Sequence, residues 1–181
     1  MIAFRHADPR LPFLHEHASQ SPARWHDAGD GPVNYFSDTP DGAWAEFLRH
    51  EEIREPEDLA TVRRALWAVD VGDEPSATPA LPDNALVGGA ESYGVCRNEA
   101  RRLRAGGAMR IDALSAALVR GGARGHRVEG GLRPGPPRDG RTIVLFGRRP
   151  SLVGWRAAQE GRPAEELLTR VRHITRPGHD G

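Results

Sequence analysis

The sequence contains no lysine, so all 25 of its basic residues are arginine. Without a lysine side chain the protein can form no Schiff base and has no P-loop lysine. The base composition of the encoding genome is the plain explanation for this usage. The functional alternative is that arginine, with its planar fork of donors, suits bidentate contacts with phosphate groups.

Other absences narrow the class of protein. The single cysteine, Cys96, excludes an intrachain disulfide and any multi-cysteine zinc or iron–sulfur site. No run approaches the ~18 apolar residues of a membrane span, and the opening residues lack the apolar stretch of a signal peptide. A formal net charge of zero is unlike that of a non-specific nucleic-acid binder. We therefore expect a cytoplasmic protein that contacts no membrane and binds no nucleic acid directly.

The length of 181 residues suits one domain, which we expect to span residues 1–174 ahead of a polar tail at 175–181. The hydrophobic pattern predicts more strands than helices, without regular alternation, which favours an α+β fold over a doubly wound α/β sheet. Strands are predicted at 2–5, 33–37, 65–71, 109–113, 142–146, 152–155 and 171–174. Helices are predicted at 38–53, 56–62, 91–105 and 163–170, and loops at 72–89 and 120–141.

Three short patterns point only weakly to chemistry. His15 and His17 flank Glu16, but no further metal-ligand spacing is present, and loop-anchoring histidines are the simpler interpretation. Cys96 lies at a core position of its predicted helix, which indicates a structural thiol rather than a nucleophile. The glycine-rich residues 121–125 match neither G-x-G-x-x-G nor the Walker pattern, which argues against a Rossmann site or a P-loop. We expect no metal and no resident cofactor.

The stretch that begins at Arg24 is the most informative part of the chain. Arg24, Tyr35 and Glu46 follow one another at equal intervals, and Glu46 falls within a predicted helix between Ala45 and Phe47. A carboxylate with such neighbours is partly desolvated, and desolvated carboxylates often have a function. Two structural alternatives remain open: Glu46 faces solvent, or it forms a salt bridge with Arg24.

The same stretch resembles the RES domain, a family named for its Arg, Glu and Ser. The family pattern has an Arg followed by an aromatic residue, a strand with a Tyr and a Ser-rich turn, and A-x-x-E on a helix. The chain shows similar elements in the family's order, namely Phe4-Arg5, Arg24-Trp25, Tyr35-Phe36-Ser37, Ala43-Trp44-Ala45-Glu46 and Ser115-Ala116-Ala117. It departs from the pattern at Pro22-Ala23, His26 and Leu114, where the family often has glycines, Asn and Pro.

The resemblance implies a fold like that of ADP-ribosyltransferases, with a split mixed β core and flanking helices around an NAD cleft. It implies an NAD phosphorylase or glycohydrolase that cleaves the nicotinamide–ribose bond and acts as the toxin of a toxin–antitoxin pair. NAD is then the substrate rather than a cofactor, and inorganic phosphate is the co-substrate of a phosphorylase. The implied partners are a helix-turn-helix antitoxin and further copies of the chain.

The resemblance also implies roles for particular residues. Glu46 would stabilise an oxocarbenium-like transition state, and Arg24 would bind a phosphate group through its fork. Tyr35 would pack against nicotinamide or ribose, with a core aromatic as the structural alternative. Ser115 would donate a hydrogen bond to phosphate, with a helix cap as the alternative. The predicted substrate-binding residues are Tyr35, Ser115, Trp25 and His26.

Two other functions remain open at this point. The chain could transfer ADP-ribose to a macromolecule, or it could be a non-catalytic NAD-binding or interaction module that has kept the fold. Free nicotinamide released in excess from NAD indicates the degrading enzyme, and a labelled macromolecule indicates the transferase. Stable NAD binding without product indicates the module.

Overall fold

The computed structural model describes residues 1–14, 16, 20–128 and 132–174. His15 and His17 of the weak metal pattern lie outside the described residues, and so does the predicted tail at 175–181. The structure has an antiparallel sheet flanked by helices, which confirms the predicted α+β class. No helix in the described ranges is both long and apolar enough to cross a membrane.

The elements lie mostly where the hydrophobic pattern predicts them. The strands are β1 (Ile2–Ala7), β2 (Val33–Ser37), β3 (Arg64–Asp70), β4 (Arg110–Leu114), β5 (His126–Val128), β6 (Leu132–Pro134), β7 (Arg141–Phe146) and β8 (Val153–Gly161). The helices are α1 (Pro40–His50), α2 (Pro56–Leu59), α3 (Asp83–Val87) and α4 (Tyr93–Ala105), with 3₁₀ turns at Ala90–Ser92 and Glu165–Arg170. Strands β1, β2, β3, β4 and β7 agree with the predictions within the one or two residues by which element ends usually differ.

Six strands form one sheet in the order β4-β7-β2-β1-β3-β8, and β5 pairs with β6 in a separate hairpin. The expected core was mixed, but every neighbouring pair in the six-stranded sheet is antiparallel. A parallel contact occurs beside it, at the isolated bridge between Ala77 and Ile111. The helices therefore do not serve as the crossovers of βαβ units.

Two predicted loops contain regular structure. Helix α3 lies within 72–89, starts after Pro82 and buries Leu86 in the cluster that α4 also enters through Cys96. Residues 120–141 contain the β5–β6 hairpin. Both segments are rich in Gly and Pro, which is why the sequence predicted loops there. Helix α3 is stabilised by its tertiary contacts, and β5 and β6 by pairing with each other.

The C-terminal part of the chain differs from the prediction in two ways. Strand β8 continues to Gly161, well past the predicted end at 155. The predicted strand at 171–174 is absent from the structure, and Val171 makes an isolated bridge to Leu118 instead. The guanidinium of Arg49 binds the carbonyl oxygen of Arg172 at 2.9 Å, so that group is not available to a strand ladder.

Helix α1 carries the carboxylate singled out by the sequence, and local signals explain its start. Thr39 is the N-cap, and its Oγ1 accepts a hydrogen bond from the Gly42 N–H at 3.0 Å. Pro40 occupies the first helical turn, where its missing N–H costs nothing, and Asp41 complements the helix dipole. One face of α1 is buried in a core cluster with the C-terminal 3₁₀ turn: Ala43, Trp44, Phe47, Leu48 and Leu167.

The sheet splits between its two central strands. Between β1 and β2, both described in full, the structure pairs Phe4 with Ser37 alone. Each strand is held firmly on its other side, β1 by β3 from Ile2 to Ala7 and β2 by β7 along its whole length. The residues of β1 beyond Phe4 therefore separate from β2, and an opening forms in the middle of the sheet.

The margin of the sheet at β8 is irregular. The register with β3 shifts between Arg64 and Leu66, and again between Leu66 and Trp67. Gly154 of β8 is covered by Phe13, since a Cβ built there would lie 2.7 Å from the Phe13 ring. Phe13 also packs on Trp67, with ring centroids 5.3 Å apart, so the segment after β1 covers the second face of the sheet.

Loss of the Thr39 hydroxyl should destabilise α1. Because Thr39 is buried, Thr39→Ser provides the control: it removes the methyl group and keeps the cap. We expect Thr39→Ala to be less stable than Thr39→Ser by about 1 kcal/mol in urea unfolding, the usual value of an N-cap hydrogen bond. Equal stability of the two variants would show that the cap contributes nothing.

Candidate active site

A cavity of about 680 Å³ lies where β1 and β2 separate. This volume falls within the range of small-molecule sites, ~300–1,000 Å³. It is lined by residues of β1, β2 and α1, together with residues from the segments 8–13 and 22–25. The opening in the sheet thus forms a chamber with both polar and aromatic side chains.

Four of the six predicted site residues line this cavity, and two do not. Arg24, Trp25, Tyr35 and Glu46 are among its lining residues. The structure places His26 and Ser115 outside the lining. The pairing of Arg24 with Glu46 across one chamber is the arrangement that the sequence hypothesis requires.

Arg24 is buried and is held by acceptors other than carboxylates. Its Nη1 donates to Ser92 Oγ at 2.9 Å and to the Ala85 carbonyl at 3.2 Å, and its Nη2 donates to the Gly88 carbonyl at 2.6 Å. The guanidinium lies 4.7 Å from the centroid of the Tyr93 ring. Among the described residues it forms no ion pair with Glu46, so the salt-bridge alternative is not what the structure shows.

Glu46 is half-buried and faces the cavity. Its Oε1 accepts a hydrogen bond from Thr142 Oγ1 at 3.3 Å, which connects α1 to β7. The carboxylate is close enough to Arg49 to oppose the lowering of the Arg49 pKa that burial causes. Glu46 is therefore neither a plain solvent-facing residue nor one half of a buried ion pair with Arg24.

The Tyr35 hydroxyl is engaged on both sides. It accepts from the Trp25 N–H at 3.1 Å and lies 2.9 Å from His26 Nδ1. The tautomer of the imidazole decides which of the two groups donates, and burial raises the pKa of the phenol. Burial also lowers the pKa of His26, in keeping with a neutral ring. Tyr35 thus lines the cavity, and His26, which does not line it, contacts the Tyr35 hydroxyl.

Ser115 has the environment of the capping alternative. It is buried, and its Oγ accepts hydrogen bonds from the N–H groups of Ala117 and Leu118, both at 3.2 Å. The hydroxyl closes the turn that follows β4. Ser115 does not line the cavity, and its role as a phosphate donor stays a prediction.

Arg49 is a cavity residue that the sequence analysis did not identify. It is buried, and its guanidinium donates to carbonyl groups of three separate segments: those of Ala116, Arg172, Val87 and Gly88. The Gly88 carbonyl therefore accepts from both Arg24 and Arg49, at 2.6 and 2.8 Å. The sequence feature that could have identified Arg49 is its spacing of three residues from Glu46, which places both on one side of a helix.

Strand β1 supplies two more cavity residues that were missed. Arg5 donates to Asn34 Oδ1 at 3.1 Å and lies 5.8 Å from the Phe36 ring centroid. His6, on the opposite face of the strand, packs edge-on against Phe47 at 5.2 Å. The motif Phe4-Arg5 could have pointed to Arg5, whereas nothing in the local pattern marks His6.

Positive charge dominates the cavity. Four arginines line it, namely Arg5, Arg24, Arg49 and Arg64, against the carboxylates Glu46 and Asp8. Asp8 is already paired with Arg10 at 2.8 Å. A chamber with unneutralised guanidinium groups and aromatic rings suits an anionic ligand with phosphate groups and planar rings. These features define an α+β protein with a split sheet around a chamber in which cationic side chains outnumber anionic ones.

The described residues show no sign of a metal centre. They contain no group of three or more His, Cys, Asp or Glu side chains that could hold an ion. Cys96 is fully buried, and burial raises the pKa of its thiol. Its sulfur donates to the Ala85 carbonyl at 3.4 Å, which agrees with a structural role.

Comparison with known proteins identifies the family. The RES domain matches residues 2–166, most of the chain, and the protein therefore belongs to the RES domain family. A chain in the crystal structure of the M. tuberculosis MbcT–MbcA toxin–antitoxin complex is similar, with a TM-score of 0.59 and 12% sequence identity. The similarity covers 93% of this chain and 86% of that chain, and at this identity it concerns the fold alone. A search of curated proteins found no match. The predicted family and the predicted fold are thereby confirmed.

His6 should make the protein acid-sensitive. Burial, and then the charges of Arg64 and Arg5, lower the pKa of His6 to about 3, so the folded protein keeps it neutral. In the unfolded chain it takes up a proton near pH ~6.5, so its contribution to stability is lost as the pH falls from there toward about 3. We expect His6→Gln to lose less stability between pH 7 and pH 4 than the wild type, by a few kcal/mol.

The exposed His50 provides the control for this experiment. His50→Gln removes an imidazole from the rim of the same cavity. The charge of His50 is only the smallest of the causes that lower the His6 pKa, so this variant should alter the pH dependence of unfolding less than His6→Gln does. If the His6→Gln curve is parallel to the wild-type curve from pH 7 to pH 4, the buried neutral imidazole has no such effect.

Proposed function

We propose that this RES-domain protein cleaves NAD at the nicotinamide–ribose bond. The observation that carries the proposal is the shared chamber, in which the half-buried carboxylate of Glu46 lies with Arg24 and Arg49, both held by neutral acceptors. NAD has the corresponding chemistry: a cationic ring joined to ribose, a pyrophosphate and a second planar base. Membership of the RES family supports the assignment.

The reaction needs a negative charge near the ribose. The C–N bond to nicotinamide breaks and its electron pair goes to the ring nitrogen, so the cationic pyridinium leaves as neutral nicotinamide. The positive charge that develops on the ribose is stabilised by the Glu46 carboxylate in a partly desolvated site. Since the leaving group is neutral, no strong general acid is required.

The ribose carbon that loses nicotinamide then forms a bond with an acceptor, either water or phosphate. With water, the oxygen bonds to the ribose carbon, a proton is released, and the product is ADP-ribose. With hydrogen phosphate, one of its anionic oxygens forms that bond, and the product is ADP-ribose 1-phosphate. In this proposal the charges of Arg24 and Arg49 attract the dinucleotide pyrophosphate, and Tyr35 packs against nicotinamide or ribose.

The biological setting that we propose is that of a toxin neutralised by an antitoxin. An enzyme that destroys NAD damages the cell that makes it, and the structurally similar MbcT–MbcA complex is a toxin–antitoxin complex. We propose a cytoplasmic location, where NAD is at hand, and a helix-turn-helix protein as the antitoxin. Co-expression with the product of an adjacent reading frame tests this part, with restored growth as the expected result.

Glu46→Gln should abolish NAD cleavage while keeping the fold, because the amide preserves the shape and the contact with Thr142 but removes the charge. We expect the rate of nicotinamide release to fall by about 10²-fold or more, the usual effect of losing an electrostatic stabiliser. Product analysis by chromatography, with and without phosphate, separates phosphorolysis from hydrolysis.

Glu51→Gln is the matched control for this variant. Glu51 is exposed at the C-cap of the same helix and does not line the cavity. It should retain the wild-type rate. NAD consumption by Glu46→Gln at the rate of Glu51→Gln would remove the proposed role, and label transferred from NAD to a macromolecule would indicate a transferase instead.

Arg24→Lys should weaken substrate binding although it keeps the positive charge. A lysine has no fork and cannot reach the Gly88 carbonyl and a phosphate group together. We expect KM for NAD to rise by about tenfold or more. An unchanged KM in a variant with a normal circular-dichroism spectrum would mean that Arg24 only holds the residues around Gly88.

A further inference from the structure

Arg64, at the start of β3, lies in the cavity with few partners. Its guanidinium carbon is 5.4 Å from the Phe47 ring centroid, and its Nη2 donates to His6 Nδ1 at 3.3 Å. Its Nε is buried and has no hydrogen-bond partner in the described structure. None of the described carboxylates forms an ion pair with it. Asp8 lies in the same cavity, but it is paired with Arg10, which lowers the Asp8 pKa more than the charge of Arg64 does. A guanidinium group in this state retains most of its capacity to bind an anion.

Arg64 and Arg24 occupy different parts of the chamber. Arg24 is bonded to residues of the segment 85–96 and stacked on Tyr93. Arg64 contacts His6 and Phe47, which belong to β1 and α1. The two guanidinium groups share no contact residue. The cavity therefore offers unneutralised charge at two separate places, which exceeds what one pyrophosphate group needs.

His6 adds a donor beside Arg64. Because Nδ1 accepts from Arg64, the proton of the neutral ring is on Nε2. That proton is available to a ligand in the cavity that His6 lines. The contact with Phe47 orients both groups, since the same ring packs on the imidazole and under the guanidinium. The pair is thus preorganised, with one charged fork and one neutral donor.

We propose that Arg64 and His6 form a second phosphate subsite in this cavity, apart from the one at Arg24, and that it binds a phosphate carrying two negative charges. The proposal rests on the proposed function, because the ligand is taken to share the cavity with NAD. Two sources have this chemistry: free inorganic phosphate that acts as the acceptor, and the 2′-phosphate of NADP. Both are dianions near neutral pH, unlike the pyrophosphate groups of NAD.

The test compares Arg64→Gln with Arg63→Gln. Arg63 is the preceding residue, is exposed, and bonds only to the nearby carbonyls of Ala60 and Val62 among the described residues. The two variants therefore have the same charge change, and only one alters the cavity. Arg64→Lys, which keeps the charge without the fork, serves if Arg64→Gln fails to fold.

The first measurement does not depend on NAD cleavage. The thermal midpoint of each protein is recorded in inorganic phosphate and in chloride of equal ionic strength. We expect phosphate to raise the midpoint of the wild type and of Arg63→Gln, and to raise that of Arg64→Gln or Arg64→Lys less. An equal rise in all of them shows that inorganic phosphate does not bind at Arg64.

The second measurement distinguishes the two sources. If inorganic phosphate is the ligand, Arg64→Gln raises KM for phosphate about tenfold or more, with little change in KM for NAD. If the 2′-phosphate is the ligand, Arg64→Gln lowers kcat/KM for NADP by a similar factor and leaves that for NAD within about twofold. Arg63→Gln should change neither.

The outcomes separate this subsite from the proposed function. Suppose that the wild type cleaves NAD, that Arg64→Gln and Arg64→Lys leave KM for phosphate and kcat/KM for NADP unchanged, and that phosphate raises all thermal midpoints equally. This result overturns the subsite and leaves the enzyme assignment intact. A wild-type protein that cleaves neither dinucleotide overturns the proposed function. In that case the thermal measurement alone decides whether Arg64 binds phosphate.

Discussion

The single pairing of Phe4 with Ser37 determines the architecture of the site. If β1 and β2 paired along their full lengths, the sheet would be continuous and the chamber would not exist. The split is stable because each strand has a complete ladder on its other side, with β3 and with β7. The opening therefore does not depend on a mobile loop, and α1 closes it from one face with Glu46 directed inward.

The chemistry of the chamber follows from how its arginines are satisfied. Burying a guanidinium group without a carboxylate leaves its charge in place, and backbone carbonyls provide hydrogen bonds but no neutralisation. Arg24 and Arg49 converge on the Gly88 carbonyl, which holds two like charges close together. Such an arrangement is costly in the empty protein, and an anionic ligand would relieve it. Glu46, the carboxylate of α1 that lines the cavity, is thereby left outside an ion pair with Arg24.

Local signals allowed much of the fold to be predicted. Thr39, Pro40 and Asp41 mark the start of α1, and the apolar runs of β2 and β7 identify central strands. The missing elements, α3 and the β5–β6 hairpin, lie in segments rich in Gly and Pro, where tertiary contacts outweigh propensity. The strand predicted at 171–174 failed for a related reason, because Arg49 binds the backbone there.

The site could be predicted only in part. Glu46 and Arg24 were proposed because the order of the motifs resembles a family pattern, and both line the cavity; spacing alone left a salt bridge between them open. His6 and Arg64 meet through the register of β1 with β3, in which Ala7 lies opposite Ala65. Side-chain alternation does not reveal which residues of two strands lie opposite each other. Ser115 is a motif residue whose hydroxyl closes a turn in the structure, and its contact with phosphate stays a prediction.

The irregular register of β8 against β3 has a consequence for assembly. A bulge twists an outer strand and disturbs its row of free N–H and C=O groups, so another strand cannot continue the ladder easily. The exposed Arg156 and Glu160 on the same strand add charge to this margin. Copies of the protein that associate at this margin would therefore meet through its side chains, which include the exposed Val153 and Trp155, more readily than by continuing the ladder.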